Sequence, residues 1–244
     1  MATWQVDPLH PQLHSAFASL EQVFALEGER ITRDSVSEVI RVELQGVRYY
    51  LKRYRKAGNL ARRFLVKPWI KAEWQNLKRF RQWGIPTAPV VAWGLERRHG
   101  AFVRGAMVTR ELPDTSDLAS LLKQGDARLH DPQWIRQTSL QVARITRLLH
   151  DHHFVHNDLK WRNLLVDPDG GVFLIDCPGG AFWWGPMLRY RIVKDLACLD
   201  KLAKTCLSRS QRLRFYLQYR GRQKLNAADK KRIRQIAGFF EGRE

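Results

Sequence analysis

His156-Asn157-Asp158-Leu159-Lys160-Trp161-Arg162-Asn163-Leu164-Leu165 is the stretch whose reading decides the rest, and Val172-Phe173-Leu174-Ile175-Asp176 follows it closely. The first carries His, Asp, Lys and Asn in the spacing H-x-D-x-K-x-x-N. The second is an apolar run that ends in an acid. Between them, Asp167-Pro168-Asp169-Gly170-Gly171 is a strong turn signal. It joins a short apolar strand at 163–166 to a strand at 172–176 as a hairpin. A hairpin of this register folds Asn163 and Asp176 toward each other.

An amide oxygen and a carboxylate so placed are hard donors suited to Mg²⁺. Asp158 can accept a hydroxyl proton, and Lys160 can face developing phosphate charge. Phosphoryl transfer needs an acceptor, metal ligands and a cation together. The competing reading is a surface hairpin with an unrelated acid at its end, because Asp and Asn are common in turns. It leaves the four polar residue types at these offsets unexplained.

At these residues the chain resembles the protein-kinase-like superfamily, and within it the bacterial lipopolysaccharide core kinases that act on heptose or Kdo sugars. The resemblance runs from about Glu29 to Leu202 and is most specific at the catalytic loop. It implies an α+β, two-lobed protein-kinase-like fold. A small antiparallel-sheet lobe with one main helix (about 1–112) precedes a compact, mainly helical large lobe with a basic helical tail (about 113–244), in a single domain of 1–244. It also implies ATP and Mg²⁺ as cofactors, Asp158 and Lys160 as catalytic residues, and Asn163 and Asp176 as metal ligands. His156 is expected to be structural, its imidazole bonding backbone around the metal-binding segment.

Upstream, the resemblance calls for a strand lysine that holds nucleotide phosphates and a helical glutamate that pairs with it. The alternating run Val47–Tyr54 reads as a strand, and Lys52 is the match. An exposed strand lysine among Arg48, Arg53 and Arg55 is the plainer alternative. The stretch 66–80 has helical spacing and starts near Pro68. Glu73 is the sole acid between Glu43 and Glu96, so it has no competitor as the partner. A G-x-G-x-x-G phosphate loop is absent. In its place Ile31–Val42 offers Ser35 and Ser37, whose hydroxyls and N–H groups suit phosphate oxygens, although an Asp/Ser turn explains them equally well. Two strands, 87–95 and 102–112, follow, with a turn at 97–100. Backbone groups of Glu111 and Leu112 then stand where an adenine edge would be met. Asp114 or Asp117 could meet a ribose hydroxyl, and Asp117 could equally cap a helix at 118–123.

Asp131-Pro132 opens a core helix over 133–152 with Ile135, Val142, Ile145, Leu148 and Leu149 on one stripe. After Asp176 the chain reads Cys177-Pro178-Gly179-Gly180, where protein kinases place Phe-Gly. Proline fixes the backbone and removes a donor. The segment to Val193 is too short for a regulated activation loop, which argues against a signalling protein kinase. Asp195, in the helical stretch 191–202, is the candidate to bond the catalytic-loop backbone.

The chain has 244 residues and a formal net charge of +18, and residues 189–244 alone hold 16 Lys/Arg against 5 acids. Such an excess attracts nucleic acid, anionic membrane or a polyanionic substrate. Lipid-linked core oligosaccharide at an anionic membrane surface fits the resemblance, and nucleic acid does not. No apolar run is long enough to span a bilayer and no signal peptide is evident, so a cytoplasmic enzyme, peripheral at the inner membrane, is expected. Cys177, Cys198 and Cys206 lack zinc spacing and read as reduced thiols, with Cys177 open to thiol reagents. Phe182, Trp183, Trp184 and Met187 cluster near the loop with Trp161. Such residues stack on sugars, sit at membrane interfaces or fill cores. Two other functions remain: a compact atypical protein kinase, and a non-catalytic binding module on a kinase scaffold.

Overall fold

Two compact units divide the chain: 2–79 with 87–113, and 80–86 with 114–242. The computed structural model describes residues 2–55 and 68–242. Val66 and Lys67 of the expected helix, and Arg243 and Glu244 of the tail, lie outside the described residues.

The first unit is a six-stranded antiparallel sheet in the order β1-β5-β6-β4-β3-β2, with β1 Ala2–Val6, β2 Glu29–Arg33, β3 Ser37–Leu44, β4 Val47–Arg55, β5 Val90–Arg98 and β6 Ala101–Arg110. Two helices, α1 (Leu20–Ala25) and α2 (Trp69–Gln82), go with it. Alternation decides what β4 shows to each face. Tyr49, Leu51 and Arg53 turn inward, where Tyr49 and Leu51 join Phe17, Leu20, Val23, Ile40 and Val108 in the core. Arg53 is buried there because it caps α1: its guanidinium donates to the carbonyls of Val23 (3.0 Å) and Leu26. A cation at the C-terminal carbonyls of a helix is favoured by the helix dipole. The opposite face of β4 carries Tyr50, Lys52 and Tyr54.

α2 packs on the sheet with Trp74 stacked on Trp93 of β5, ring centroids 3.7 Å apart. Its Ile70 sits so close to β6 that a Cβ at Gly105 would lie 2.9 Å from it. At Gly94 a Cβ would lie 2.1 Å from the Thr3 carbonyl, so glycine lets β1 close on β5.

The second unit holds α3 (Leu118–Gln124), α4 (Pro132–Asp151), α5 (Gly185–Cys206), α6 (Arg209–Arg220) and α7 (Ala227–Ala237). Its strands are β7 (Ser116–Asp117), β8 (Phe154–Val155), β9 (Leu164–Val166), β10 (Val172–Leu174) and β11 (Ala181–Phe182). Asp117 and Asp131 cap α3 and α4, accepting from the N–H groups of Ser120 (2.9 Å) and Gln133 (2.8 Å). The α4 stripe buries Ile135, Val142, Ile145 and Leu149, but Leu148 is 37% exposed and does not belong to it. Val193, Leu196 and Ala197 of α5 pack with Tyr216 and Tyr219 of α6 and Ile236 of α7. A cluster of Phe80, Trp83, Phe154 and Phe182 underlies β8 and β11, with Phe80 edge-on to Phe154 at 5.6 Å. No described helix is long and apolar enough to cross a membrane.

Candidate active site

In the first unit the strand lysine and the helical acid meet. Lys52 Nζ lies 3.0 Å from each carboxylate oxygen of Glu73, and the Tyr54 hydroxyl donates to Oε2 at 2.8 Å. Glu73 is 3% exposed, so these partners compensate a charge that would otherwise be costly to bury. Burial and the adjacent Glu73 charge push the Tyr54 phenol far above its ordinary range, so it stays a donor.

The stretch between β2 and β3 is a turn closed by Asp34. Its carboxylate accepts the N–H groups of Val36 (2.7 Å) and Ser37 (2.6 Å) and the Ser37 hydroxyl (2.9 Å). Those bonds, the Val36 N–H first, hold the Asp34 carboxyl below the usual carboxylate range. Both Ser37 donors that were expected to suit phosphate are thus held by a carboxylate, as in the Asp/Ser turn that was the alternative reading. Ser35 is exposed in the same turn.

Glu111 is constrained too. Its N–H donates to the Arg48 carbonyl at 2.9 Å, and its side chain accepts from the Tyr50 hydroxyl at 3.0 Å. The Glu111 N–H is thus engaged within the sheet and not open to an adenine edge. Tyr50, on the Lys52 face, is occupied by this bond.

In the second unit, β9 and β10 form the expected hairpin, with Val166 opposite Val172 and Leu164 opposite Leu174. Asp167 closes its turn by accepting the Gly171 N–H at 2.7 Å. Asp158 lies before the hairpin. Its carboxylate meets Lys160 Nζ at 2.5 Å and Arg162 at 3.1 Å. Partial burial pushes the Asp158 carboxyl up, but Lys160 and Arg162 outweigh it and hold the pKa below the ordinary 3.8. Asn163 is 2% exposed and donates its side-chain N–H to the Asp158 carbonyl at 2.8 Å. That bond fixes the amide orientation and turns Oδ1 the other way. Asp176, just beyond β10, has φ +56, an uncommon left-handed backbone for a residue with a side chain.

α5 holds this loop in place. Asp195, fully buried, accepts the backbone N–H groups of His156 (2.8 Å) and Asn157 (3.0 Å). Trp161 is buried and donates its indole N–H to the Leu199 carbonyl at 2.9 Å, so it anchors the loop rather than facing a ligand. Arg191 donates to the Asn157 side chain at 3.1 Å. Behind Asp195, His150 lies between its carboxylate (3.5 Å) and the Tyr219 hydroxyl (2.9 Å). The His156 imidazole is buried with the Ile175 backbone, next to Asp176, as its hydrogen-bonding neighbour, and the His156 N–H is tied separately to Asp195. Burial lowers the His156 pKa and keeps the ring neutral. Cys177 is fully buried, which corrects the expectation of an accessible thiol there. No three His, Cys, Asp or Glu side chains form a metal cage among the described residues. One carboxylate and one amide oxygen still fit Mg²⁺, which takes few protein ligands and completes its shell with phosphate oxygens and water.

A solved structure described as WaaP in complex with acyl carrier protein matches 98% of this chain and 95% of its own, at 24% identity and a TM-score of 0.73. The fold is accordingly α+β of the protein-kinase-like class. The model of the Lipopolysaccharide kinase (Kdo/WaaP) family matches residues 18–219, and the chain belongs to that family. The lipopolysaccharide core heptose(I) kinase WaaP of Pseudomonas aeruginosa is 28% identical over 62% of this chain and 59% of its own length. The 3-deoxy-D-manno-octulosonic acid kinase of Vibrio cholerae is 24% identical over 55% and 57%. The matches thus span somewhat under three fifths of each of these two relatives.

Proposed function

We propose that this chain is an ATP-dependent kinase that phosphorylates a sugar hydroxyl, of heptose or Kdo, in the lipopolysaccharide inner core. The observation that carries the reading is the Asp158–Lys160 pair on a loop bolted to Asp195, in a member of the lipopolysaccharide kinase family. Asp158 orients the sugar hydroxyl and accepts its proton. The reaction requires it to be ionised, and its two cations favour that state. Lys160 faces the phosphoryl group in transfer, where positive charge counts most as the developing oxyanions spread their charge. Lys52, oriented by Glu73, holds nucleotide phosphates. Asn163 and Asp176 hold Mg²⁺, which when bound neutralises phosphate charge. The missing Phe-Gly after Asp176 and the direct run into α5 favour a sugar acceptor over a regulated protein substrate.

The substrate would be lipid-linked and met at an anionic membrane surface, which suits the positive charge of residues 189–244. A second partner of acyl-carrier type is favoured by one observation. An apolar cavity of about 570 Å³ lies among α3 to α7, with Arg209 and Lys230 on its lining, and suits an alkyl chain borne by an anionic carrier.

The test incubates the protein with γ-labelled ATP, Mg²⁺ and dephosphorylated, deacylated core oligosaccharide. Label should enter the saccharide with wild type and fall by about 10²–10⁴-fold in Asp158→Asn, the range for removal of a positioned acid–base group. Label confined to protein, or equal transfer by both proteins, would contradict the reading.

A further inference from the structure

We infer that the exposed aromatic face at the start of α5, with the cations beside it, is a docking surface for an anionic lipid bilayer. The inference rests on the membrane part of the proposed function and deepens it by naming the surface, which lies outside the phosphotransfer residues and does not depend on which sugar is the acceptor.

Nine large apolar residues are more than a third exposed among the described residues, and four of them fall between 182 and 190: Phe182 (37%), Trp184 (66%), Met187 (47%) and Tyr190 (46%). Single exposed apolar residues need no explanation, but a cluster marks a contact surface. The chain builds this one deliberately. Phe182 is fixed by β11 pairing with β8, and its ring stacks on Trp184 with centroids 6.3 Å apart. Trp184 occupies the N-cap position of α5 yet makes no side-chain cap bond, so the indole is not there to close the helix. Met187 and Tyr190 follow at three-residue steps, which makes them neighbours on the helix surface.

Charge selects the partner. Tyr190 contacts Phe239 at 5.6 Å on the wall of a groove between α5 and α7. Arg189, Lys231 and Arg232 line the same groove, with Glu241 as its acid. None of these three cations has a carboxylate partner among the described residues, whereas Arg212 and Arg220 nearby in sequence are paired with Asp200 and Asp229. Unpaired cations next to exposed Trp and Tyr match the headgroup region of a bilayer, where amphipathic rings sit at the interface and anionic lipids draw Lys and Arg. An acidic sugar would also use rings and cations, so transfer to the soluble oligosaccharide is measured beside vesicle binding to tell the two apart. A purely electrostatic surface would not need Trp184 and Met187 in water.

The experiment is cosedimentation of the full chain with phosphatidylcholine vesicles and with vesicles that also contain phosphatidylglycerol. Wild type should sediment with the mixed vesicles, bind the neutral ones at least tenfold more weakly, and lose binding as salt rises. Trp184→Ser with Met187→Ser, and separately Arg189→Glu with Lys231→Glu, should each cut binding to mixed vesicles at least tenfold. Phosphate transfer to soluble deacylated oligosaccharide is measured on the same samples and should stay within twofold of wild type, which also shows that the variants are folded. Wild type left in the supernatant with both vesicles overturns the inference, as does unchanged binding by both variants. Loss of transfer to the soluble sugar in the Trp184/Met187 variant, with vesicle binding intact, also overturns it and makes the face a sugar platform. Absence of transfer by wild type, with vesicle binding as expected, counts against the kinase reading and leaves the docking surface standing.

Discussion

Glu73 is an acid with 3% of its surface exposed, and Lys52 and Tyr54 are what make that burial tolerable. Lys52→Met removes the cation that balances the buried Glu73 carboxylate and should lower stability by about 1–3 kcal/mol, the usual penalty when a buried polar group loses a partner. The same change should reduce kcat by about 10²–10³-fold, as removal of one preorganised electrostatic contact does. Urea unfolding and steady-state kinetics check the two effects separately, and a fully active Lys52→Met would remove the nucleotide role. On the proposed reading, Asp158 sets the pH dependence of phosphate transfer. Its folded pKa lies below 3.8, so ionised Asp158 is present at all pH values above that, and its stabilising contribution is lost only as pH falls through the lowered value. Arg162→Ala removes one of the two opposing cations and lets burial push the pKa back up, so the acid limb of the pH–rate profile should move to higher pH. The Lys52–Glu73 pair was legible because Glu73 had no acidic rival in that part of the sequence. Ser37 stayed ambiguous in the sequence because a neighbouring carboxylate, Asp34, competes for the same donors.

The catalytic loop owes its shape to α5 more than to its own sequence. Asp195 receives two backbone N–H groups, and Leu199 one indole N–H, from residues 38 or 39 positions away. Asp195→Asn keeps the volume but turns one acceptor into a donor facing an N–H group. It should lower the urea midpoint and reduce kcat while Lys52 and Glu73 remain in place. An unchanged kcat would show that the loop holds itself. Gly180 is a second constraint of this element: a Cβ there would lie 2.4 Å from the Cys177 sulfur and 2.5 Å from the Phe154 ring. Gly180→Ala should cost about 1–3 kcal/mol, as overpacking does, read as a lowered Tm, and an unchanged Tm would contradict the packing described. Elements with local signals were readable: the Asp131-Pro132 cap before α4, the Asp167–Gly171 turn and the alternation of β4. Strand β1 was not, because five residues that pair with a glycine-bearing neighbour carry little pattern of their own. Leu148 satisfied the helical period but lies at the edge of the buried stripe, a matter decided by what packs beside α4.

At the scale of the molecule, family and fold followed from a few residues, whereas the surfaces did not. The charge of +18 was visible as a total, but which cations are paired and which face outward depends on tertiary contacts. Arg53, read as one of several strand arginines, proves to be a buried helix cap, and Trp161, read as part of an aromatic cluster, is an internal anchor. Trp83 escaped notice because nothing in its local sequence announces that it stacks on His152 at 4.2 Å and supports Phe154. The division between Pro113 and Asp114 lies in a polar, turn-rich stretch, but the transfer of residues 80–86 to the second unit has no sequence marker. The account as a whole depends on this family member moving one phosphate to one sugar. Mass spectrometry of the core glycan, purified from cells that carry the wild-type chain or Asp158→Ala in its place, tests that most directly. The account predicts a glycan with one additional phosphate on a heptose or Kdo residue in the wild-type cells and its absence with Asp158→Ala; identical glycans from the two would contradict it.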